Sequence, residues 1–408
     1  MWRAVLVVLM LVPGCVGANV ERSPRPEPRP EGVAAAPRGA SFEAWVAAFR
    51  GRALAEGVSA RAFDAAMGGV RHLSGTVRLD RAQAEFSTRV WEYLDNAVTP
   101  GRIAEGRRLM TRHGDLLRRI ESRFGVPPEV VVAIWGLETS YGAARGTTPT
   151  LSTLATLARD GRRAGFFEGE LIAALKIVQA GEVTPGRMIG SWAGAMGHTQ
   201  FMPSSYLDHA VDFTGNGRRD VWGADPSDAL ASAANYLAAN SWTRGQPWAV
   251  EVRLPEGFDF AAVGTRRGMD AWRGLGVTAA AGALPGAGQA ELMLPAGRGG
   301  PALLAFGNYD VLKTYNVSDA YVIALGHLSD RLRGAGPFVA GWPRGDRALN
   351  LSERMELQRL LNAAGFDTAG IDGRLGPATH AAVRGWQAAN GLVPDGYISA
   401  DLLARMRR

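Results

Sequence analysis

From Ser41 to about Ala239 apolar residues recur at three- and four-residue spacing, the signature of helices that bury one face. Ser41 is placed as an N-cap, followed by Phe42, Trp45, Val46 and Phe49 at helical positions. Further helices are predicted over Ala60–Met67, within Phe86–Asp95, near Pro100–Phe124, Thr150–Ala158 and Phe166–Ala180, and over Asp225–Ala239. Between 246 and 312 the pattern changes. Val250, Val252 and Leu254 alternate, Glu291–Leu294 is a short apolar run, and glycines and prolines surround both. That region reads as a small β-containing insertion. Helix returns at Ala320–Leu332, and a stretch rich in glycine and proline, Gly334–Gly345, reads as a linker. The tail has its own pattern: Leu357, Leu360, Leu361 and Ala364 on one helix, Val383 and Trp386 on a second opened by Pro377, and Leu402, Leu403 and Met406 on a third capped by Ser399.

Composition narrows the class. The chain has 408 residues, 47% hydrophobic and 21% charged, with a formal charge of +6. These are globular values, with length for two or three domains. Only two basic residues are lysines, Lys176 and Lys313, and the arginines are scattered over every segment. Nucleic-acid binding is therefore not expected, while a mildly basic chain would still be drawn to an anionic polymer such as a cell wall. The one cysteine, Cys15, excludes an internal disulfide. It closes a segment with Arg3 as positive region, Ala4–Val12 as apolar region and Gly14 before it, which reads as an export signal. The segment resembles a bacterial lipoprotein signal, although Pro13 and Val12 depart from the commonest pattern. The resemblance implies lipidation at Cys15, a membrane anchor and a periplasmic location at the outer membrane. Residues 16–40 are proline-rich and charged and read as an extended tether.

The candidate chemistry sits in Val126–Gly142. Pro127 and Pro128 suit a helix start, with Glu129 in the first turn. At 100° per residue Val130, Val131, Ile134, Leu137, Glu138 and Tyr141 share one arc. A carboxyl group buried without a cationic partner keeps its proton near neutrality, as a general acid must. A second stretch, Ser191–Tyr206, combines glycines and alanines that permit close backbone approach with Ser191, Gln200 and Tyr206 as polar groups suited to a sugar. It holds no acidic residue. Asp160, Glu168 and Glu170 are the nearest alternatives in sequence, in segments that read as solvated.

Together, Glu138-Thr-Ser-Tyr-Gly142 and Ser191-Trp-Ala-Gly-Ala-Met-Gly-His-Thr-Gln-Phe-Met-Pro-Ser-Ser-Tyr206 resemble the membrane-bound lytic murein transglycosylase B family. The resemblance implies a mainly α fold: a lysozyme-like α domain with a small β-containing subdomain. Glu138 stands where the family has its catalytic acid. Ser191, Gln200 and Phe201 stand where it lines a glycan groove, joined by Tyr236, Tyr315, Asn316 and Tyr321, and by Tyr93 and Phe167. The implied reaction cuts the MurNAc–GlcNAc β-1,4 bond of peptidoglycan and leaves a 1,6-anhydromuramic end. Hydrolytic muramidase and non-catalytic wall-binding scaffold are the alternatives. No organic cofactor is expected.

Asp212, Thr214, Asn216 and Asp220 occupy the first, third, fifth and ninth places of an EF-hand-like loop, with Gly217 at the sixth and the Arg218 carbonyl at the seventh. Gly223 replaces the glutamate at the twelfth place, and the family resemblance puts Asp228 in the closing role. A structural calcium is the expectation. The tail resembles the three-helix peptidoglycan-binding domain through Ile371–Thr379, Trp386-Gln387, Asn390–Leu392 and Asp395-Gly396, implying contact with cell-wall peptide stems. The expected layout is signal 1–15, tether 16–40, catalytic domain 41–335 with the insertion at 246–312, linker 336–348 and binding module 349–408.

Overall fold

The computed structural model describes residues 41–82 and 88–408. The export segment with Cys15, the 16–40 tether and Phe86 lie outside the described residues. In chain order the helices are α1 (Phe42–Ala55), α2 (Ala60–Met67), α3 (Ser74–Ala82), α4 (Val90–Ala97), α5 (Pro100–Arg112), α6 (Gly114–Phe124), α7 (Pro128–Thr139), α8 (Thr150–Asp160), α9 (Ala164–Gln179), α10 (Pro203–His209) and α11 (Ser227–Ala239). They continue as α12 (Met269–Gly274), α13 (Gly307–Tyr315), α14 (Asp319–Arg333), α15 (Leu351–Ala363), α16 (Pro377–Ala389) and α17 (Ala400–Met406). The chain forms two compact units, 41–82 with 109–239 and 88–108 with 240–408.

The first unit is almost wholly helical. Ser41 and Ser59 cap α1 and α2, accepting the N–H of Ala44 at 3.1 Å and of Ala62 at 3.2 Å. Helix α8 packs on α9, α9 on α10, and α11 on both α6 and α7. The expected single helix over 100–124 is two, broken at His113 where φ is −103° and ψ 21°. A short antiparallel pair, β1 (Thr148–Pro149) with β2 (Ile189–Gly190), ties the start of α8 to the second motif. Helix α7 is buried all round over most of its length. Every residue from Val130 to Thr139 is buried, including Val132, Ala133, Trp135 and Gly136, which lie outside the arc shared by Ile134, Leu137 and Glu138. A helix apolar all round belongs inside a core.

The second unit holds a five-stranded antiparallel sheet in the order β4 (Arg266–Gly268), β6 (Gln289–Met293), β7 (Ala302–Ala305), β3 (Ala249–Arg253), β5 (Thr278–Ala279). One face covers a core of Met269, Trp272, Leu292, Leu304 and Phe306. Helix α4 packs on α14, and the Trp248 indole lies against Gly326, donating to Asp330 at 2.8 Å. A Cβ at Gly326 would fall 2.2 Å from that ring, so only glycine lets the two approach.

The 336–348 segment is held along its length. The Glu251 carboxylate accepts the N–H groups of Val339 and Ala340, both at 2.7 Å. Phe338 stacks on His327 at 4.2 Å, and Arg344 pairs with Asp95. The tail is three helices around Leu357, Leu361, Val383, Ile398, Leu402 and Leu403. Among the described residues no helix is long and apolar enough to cross a membrane.

Candidate active site

Pro127 and Pro128 open α7 as expected, and its far end carries Glu138. Glu138 is 5% exposed. The chain leaves the helix through three residues in the left-handed region: Ser140 at φ 48°, Tyr141 at 61° and Gly142 at 85°. Left-handed geometry costs roughly 1–2 kcal/mol at a non-glycine residue, so two in a row directly after the helix end at Thr139 must be enforced by packing. Two glycines allow it. Gly136 lies under the Tyr141 ring, where a Cβ would be 2.8 Å away, and Gly142 lies against His198.

His198 is the joint between the two motifs. Its Nδ1 accepts the Trp135 indole N–H at 3.1 Å, and its Nε2 donates to the Gly223 carbonyl at 2.9 Å. The ring is therefore neutral with its proton on Nε2. Desolvation by burial, the first cause, lowers its pKa, and the nearby Arg145 adds to the shift. The Thr139 hydroxyl, next to Glu138 in sequence, donates to the His198 carbonyl at 2.7 Å and accepts the Gly142 N–H at 2.9 Å. Gln200 is also left-handed, at φ 52°, and its amide donates to the Gly197 carbonyl at 2.9 Å. Phe201 pairs by a bridge with Met196 and lies 5.9 Å, ring to ring, from Tyr236. The Ser191 hydroxyl accepts the Ala195 N–H at 3.1 Å. Glu138, Ser191, Gln200, Phe201 and Tyr236 thus belong to one unit, joined through α7, the 190–201 loop and α11.

Of the other expected groove residues, Phe167 lies in the same unit as Glu138 and four lie in the second unit. Tyr93, Tyr315, Asn316 and Tyr321 belong to the second unit; Tyr93 and Tyr315 are half-buried, and Asn316 and Tyr321 are buried. The Asn316 amide oxygen accepts the Ser318 N–H ahead of α14 at 3.0 Å. Phe167 is 1% exposed and packs against Phe166 and Arg163 inside its own unit. Tyr206 is fully buried, and its hydroxyl donates to the Arg219 carbonyl at 2.7 Å instead of facing a sugar.

Glu170 corrects a second expectation, because it is buried and not solvated. Its carboxylate accepts the Ser204 N–H at 2.9 Å and hydroxyl at 2.7 Å, holding the start of α10. Burial raises its pKa against those two hydrogen bonds, which lower it. Asp160 and Glu168 are engaged by His72 and Arg52. Sequence reasoning missed the roles of Trp135, Thr139, Arg145 and His198; the histidine stood in the second motif but carried no spacing signal.

The 212–228 loop has the turn expected of a calcium loop. Gly217 takes φ 84°, and the Asp212 carboxylate accepts the N–H groups of Gly215, Asn216 and Gly217 between 2.7 and 3.1 Å. Asp228 is turned to the backbone: Oδ1 accepts Phe213 and Thr214 N–H at 2.9 and 3.0 Å, and Oδ2 accepts Asp220 N–H at 3.0 Å. Among the described residues no group of three or more His, Cys, Asp or Glu is placed to hold a metal. The expected donors Asp212, Thr214, Asn216 and the Arg218 carbonyl lie on this loop, which the Asp228 carboxylate closes through backbone hydrogen bonds.

Comparison with known proteins matches two families along the chain. Residues 41–330 match the transglycosylase SLT domain and residues 350–406 a putative peptidoglycan binding domain. The chain is 42% identical over 172 residues to membrane-bound lytic murein transglycosylase B of Escherichia coli K12, a match covering 41% of this chain and 47% of that relative. The chain thus spans about half the length of that curated relative. It is 46% identical to SltB3 of Pseudomonas aeruginosa, solved in complex with NAG-anhNAM-pentapeptide, covering 91% of this chain and 100% of that one with a TM-score of 0.87. It is also similar to the Escherichia coli lytic transglycosylase Slt35 in complex with calcium: 32% identity, TM-score 0.61, 71% of this chain and 92% of that one.

Proposed function

Because the chain belongs to the transglycosylase SLT domain family, we propose that it is a lytic transglycosylase of peptidoglycan in which Glu138 is acid and then base. Glu138 gives its proton to the glycosidic oxygen between N-acetylmuramic acid and N-acetylglucosamine. The C1–O bond breaks and the N-acetylglucosamine part leaves with that proton. The 6-hydroxyl of the muramic residue then bonds to C1, and its proton returns to the Glu138 carboxylate. No water is consumed, and the product is a 1,6-anhydro ring. Successive acid and base roles for one residue follow the logic of glycoside cleavage. Holding the sugar's own hydroxyl beside C1 makes the closure intramolecular.

The observation that carries the reading is the buried Glu138 at the buried C-terminal end of α7, followed at once by the Thr139–His198 clasp to the loop of Ser191, Gln200 and Phe201. Those three residues and Tyr236 are proposed to line the glycan groove. Phe167 is proposed as a further substrate-binding residue of that unit, and Tyr93, Tyr315, Asn316 and Tyr321 as substrate-binding positions of the second unit. Calcium is proposed as an optional brace of the 212–228 loop, through Asp212, Thr214, Asn216 and the Arg218 carbonyl. A short carboxylate count puts it in the weak class, about 10⁻⁴–10⁻³ M. Export, lipidation at Cys15 and anchoring at the periplasmic face of the outer membrane complete the proposal, by analogy with a relative described as membrane-bound.

The test is product analysis by mass spectrometry on purified sacculi. The wild type should release 1,6-anhydro ends, and Glu138→Gln should lose turnover by orders of magnitude while still sedimenting with the wall. Reducing muramic ends as the main product would replace the reading with a hydrolytic muramidase; an active Glu138→Gln would remove Glu138 from the chemistry.

A further inference from the structure

The C-terminal module is docked against the sheet of its unit by close contacts on two sides. The tight turn at Gly297, φ 62°, presses on the module so closely that a Cβ there would meet the Tyr397 Cβ at 2.5 Å and the Asp395 carboxylate at 2.7 Å. The same carboxylate accepts the Arg298 N–H at 3.0 Å. On the other side Arg89 reaches Asp346 at 2.5 Å and the Ile398 carbonyl at 3.2 Å, and Asp346 also accepts the Tyr397 hydroxyl at 2.6 Å.

This docking encloses a groove of about 810 Å³ between the module and the sheet, a size typical of ligand sites. Leu254, Phe258, Phe260 and Leu294 form the sheet side, and Leu392 and Val393 the module side. Arg253 and Arg298 stand on its walls against one carboxylate, Glu256. Both guanidinium groups are exposed, and among the described residues neither has an ion-pair partner. Past Arg298, Leu392 and Val393 the groove continues into a smaller cleft, of about 230 Å³, along Ser399, Asp401 and Arg405.

We propose that the wall-binding site is this shared groove, not a face of the module alone, and that its occupant is the anionic peptide stem of peptidoglycan. The proposal rests on the peptidoglycan reading given above. A stem alternates small alkyl side chains with free carboxylates. An apolar floor with two unpaired guanidinium groups matches both features, since arginine grips carboxylates with paired hydrogen bonds. The glycan strand offers far fewer free carboxylates once stems are attached, and so has less to gain from the arginines. Half of the site then comes from the sheet, so the module's affinity for the wall depends on its docking.

The test uses the full chain and two insoluble substrates: intact sacculi, and chitin, an N-acetylglucosamine glycan with neither stems nor carboxylates. Arg298→Glu and Arg253→Glu change exposed side chains, and thermal unfolding is run to confirm that both variants fold as the parent does. Each should weaken cosedimentation with intact sacculi about ten-fold, the loss of one charge-assisted contact, and leave binding to chitin unchanged. Wild-type binding to intact sacculi by both variants would overturn the proposal. An equal loss on both substrates would also overturn it, by making the glycan the occupant. Anhydro-product analysis of the same samples reports separately on the catalytic reading.

Discussion

Replacing His198 separates a positioning role from mere packing. His198→Leu keeps the volume but leaves the buried Trp135 N–H without its acceptor at 3.1 Å. Stranding a buried donor costs about 1–3 kcal/mol. The Gly223 carbonyl suffers less, because Arg145 also donates to it at 2.5 Å. A loss near 2 kcal/mol should lower the melting temperature of a unit of this size by roughly 4–8 °C. His198→Gln should recover most of it, because a Gln amide can both accept from Trp135 and donate to Gly223. Turnover should follow the same order: a roughly ten-fold fall in kcat for Leu with KM little changed, and near-parental kcat for Gln, because slight misplacement of a reacting group lowers rate more than binding. The pH dependence adds an independent check. A histidine whose folded pKa is lowered contributes stability that is fully present above its unfolded value of about 6.5 and is lost as pH falls from there toward the folded value. The parent should therefore lose stability on acidification below that point, and His198→Gln should lose less. If His198→Leu melts and turns over like the parent, the clasp has no role in holding the acid helix to the substrate loop.

Further outcomes test other buried groups. Glu170→Gln should leave 1,6-anhydro product intact, because Glu170 holds Ser204 and is not proposed to activate water; a switch to inactive protein that folds normally would make it part of the chemistry. Its raised pKa means its share of stability is present below about 4.5 and lost as pH rises through the folded value, so the Gln variant should show a flatter stability profile above that point. His327 is lowered to about 4 by desolvation first and by Arg331 second. His327→Phe keeps the stack on Phe338 and should remove a loss of roughly 3 kcal/mol between pH 6.5 and the folded pKa, read by thermal unfolding in acid. Calcium at about ten times a millimolar dissociation constant should stabilise the chain by roughly 1.4 kcal/mol against chelator, and the difference should vanish in Asp212→Ala; no difference in the parent removes the brace.

Much of the catalytic unit was legible because helix period and caps are local signals. Ser41, Pro128 and the α8, α9 and α11 patterns sit within two residues of the observed helix ends. Glu138 was legible as a carboxylate on an apolar helix. Its surroundings were not, because the clasp is made of long-range contacts: Trp135 to His198 spans 63 residues and Thr139 to His198 spans 59. A histidine that accepts from an indole leaves no periodic trace. Glu170 was misread for the same reason. A glutamate on a polar-looking helix is normally solvated, and only the fold brings Ser204 from α10 to satisfy it.

The tail shows a different limit of the sequence. Its apolar periodicity describes a module with a core of its own, and that core is present. What periodicity omits is how the outside of that core is used. Docking runs through Gly297, Arg89, Asp346, Asp395 and Tyr397, residues that read singly as turns or solvated charges. The segment before the module is rich in glycine and proline, a composition associated with free linkers. Its path is nevertheless fixed by backbone N–H groups meeting the Glu251 carboxylate, and backbone donors are available whatever the side chains. A linker's composition reports how little it can bury, not whether a neighbour holds it. A groove built between module and sheet therefore depends on polar contacts across an interface that hydropathy alone does not reveal.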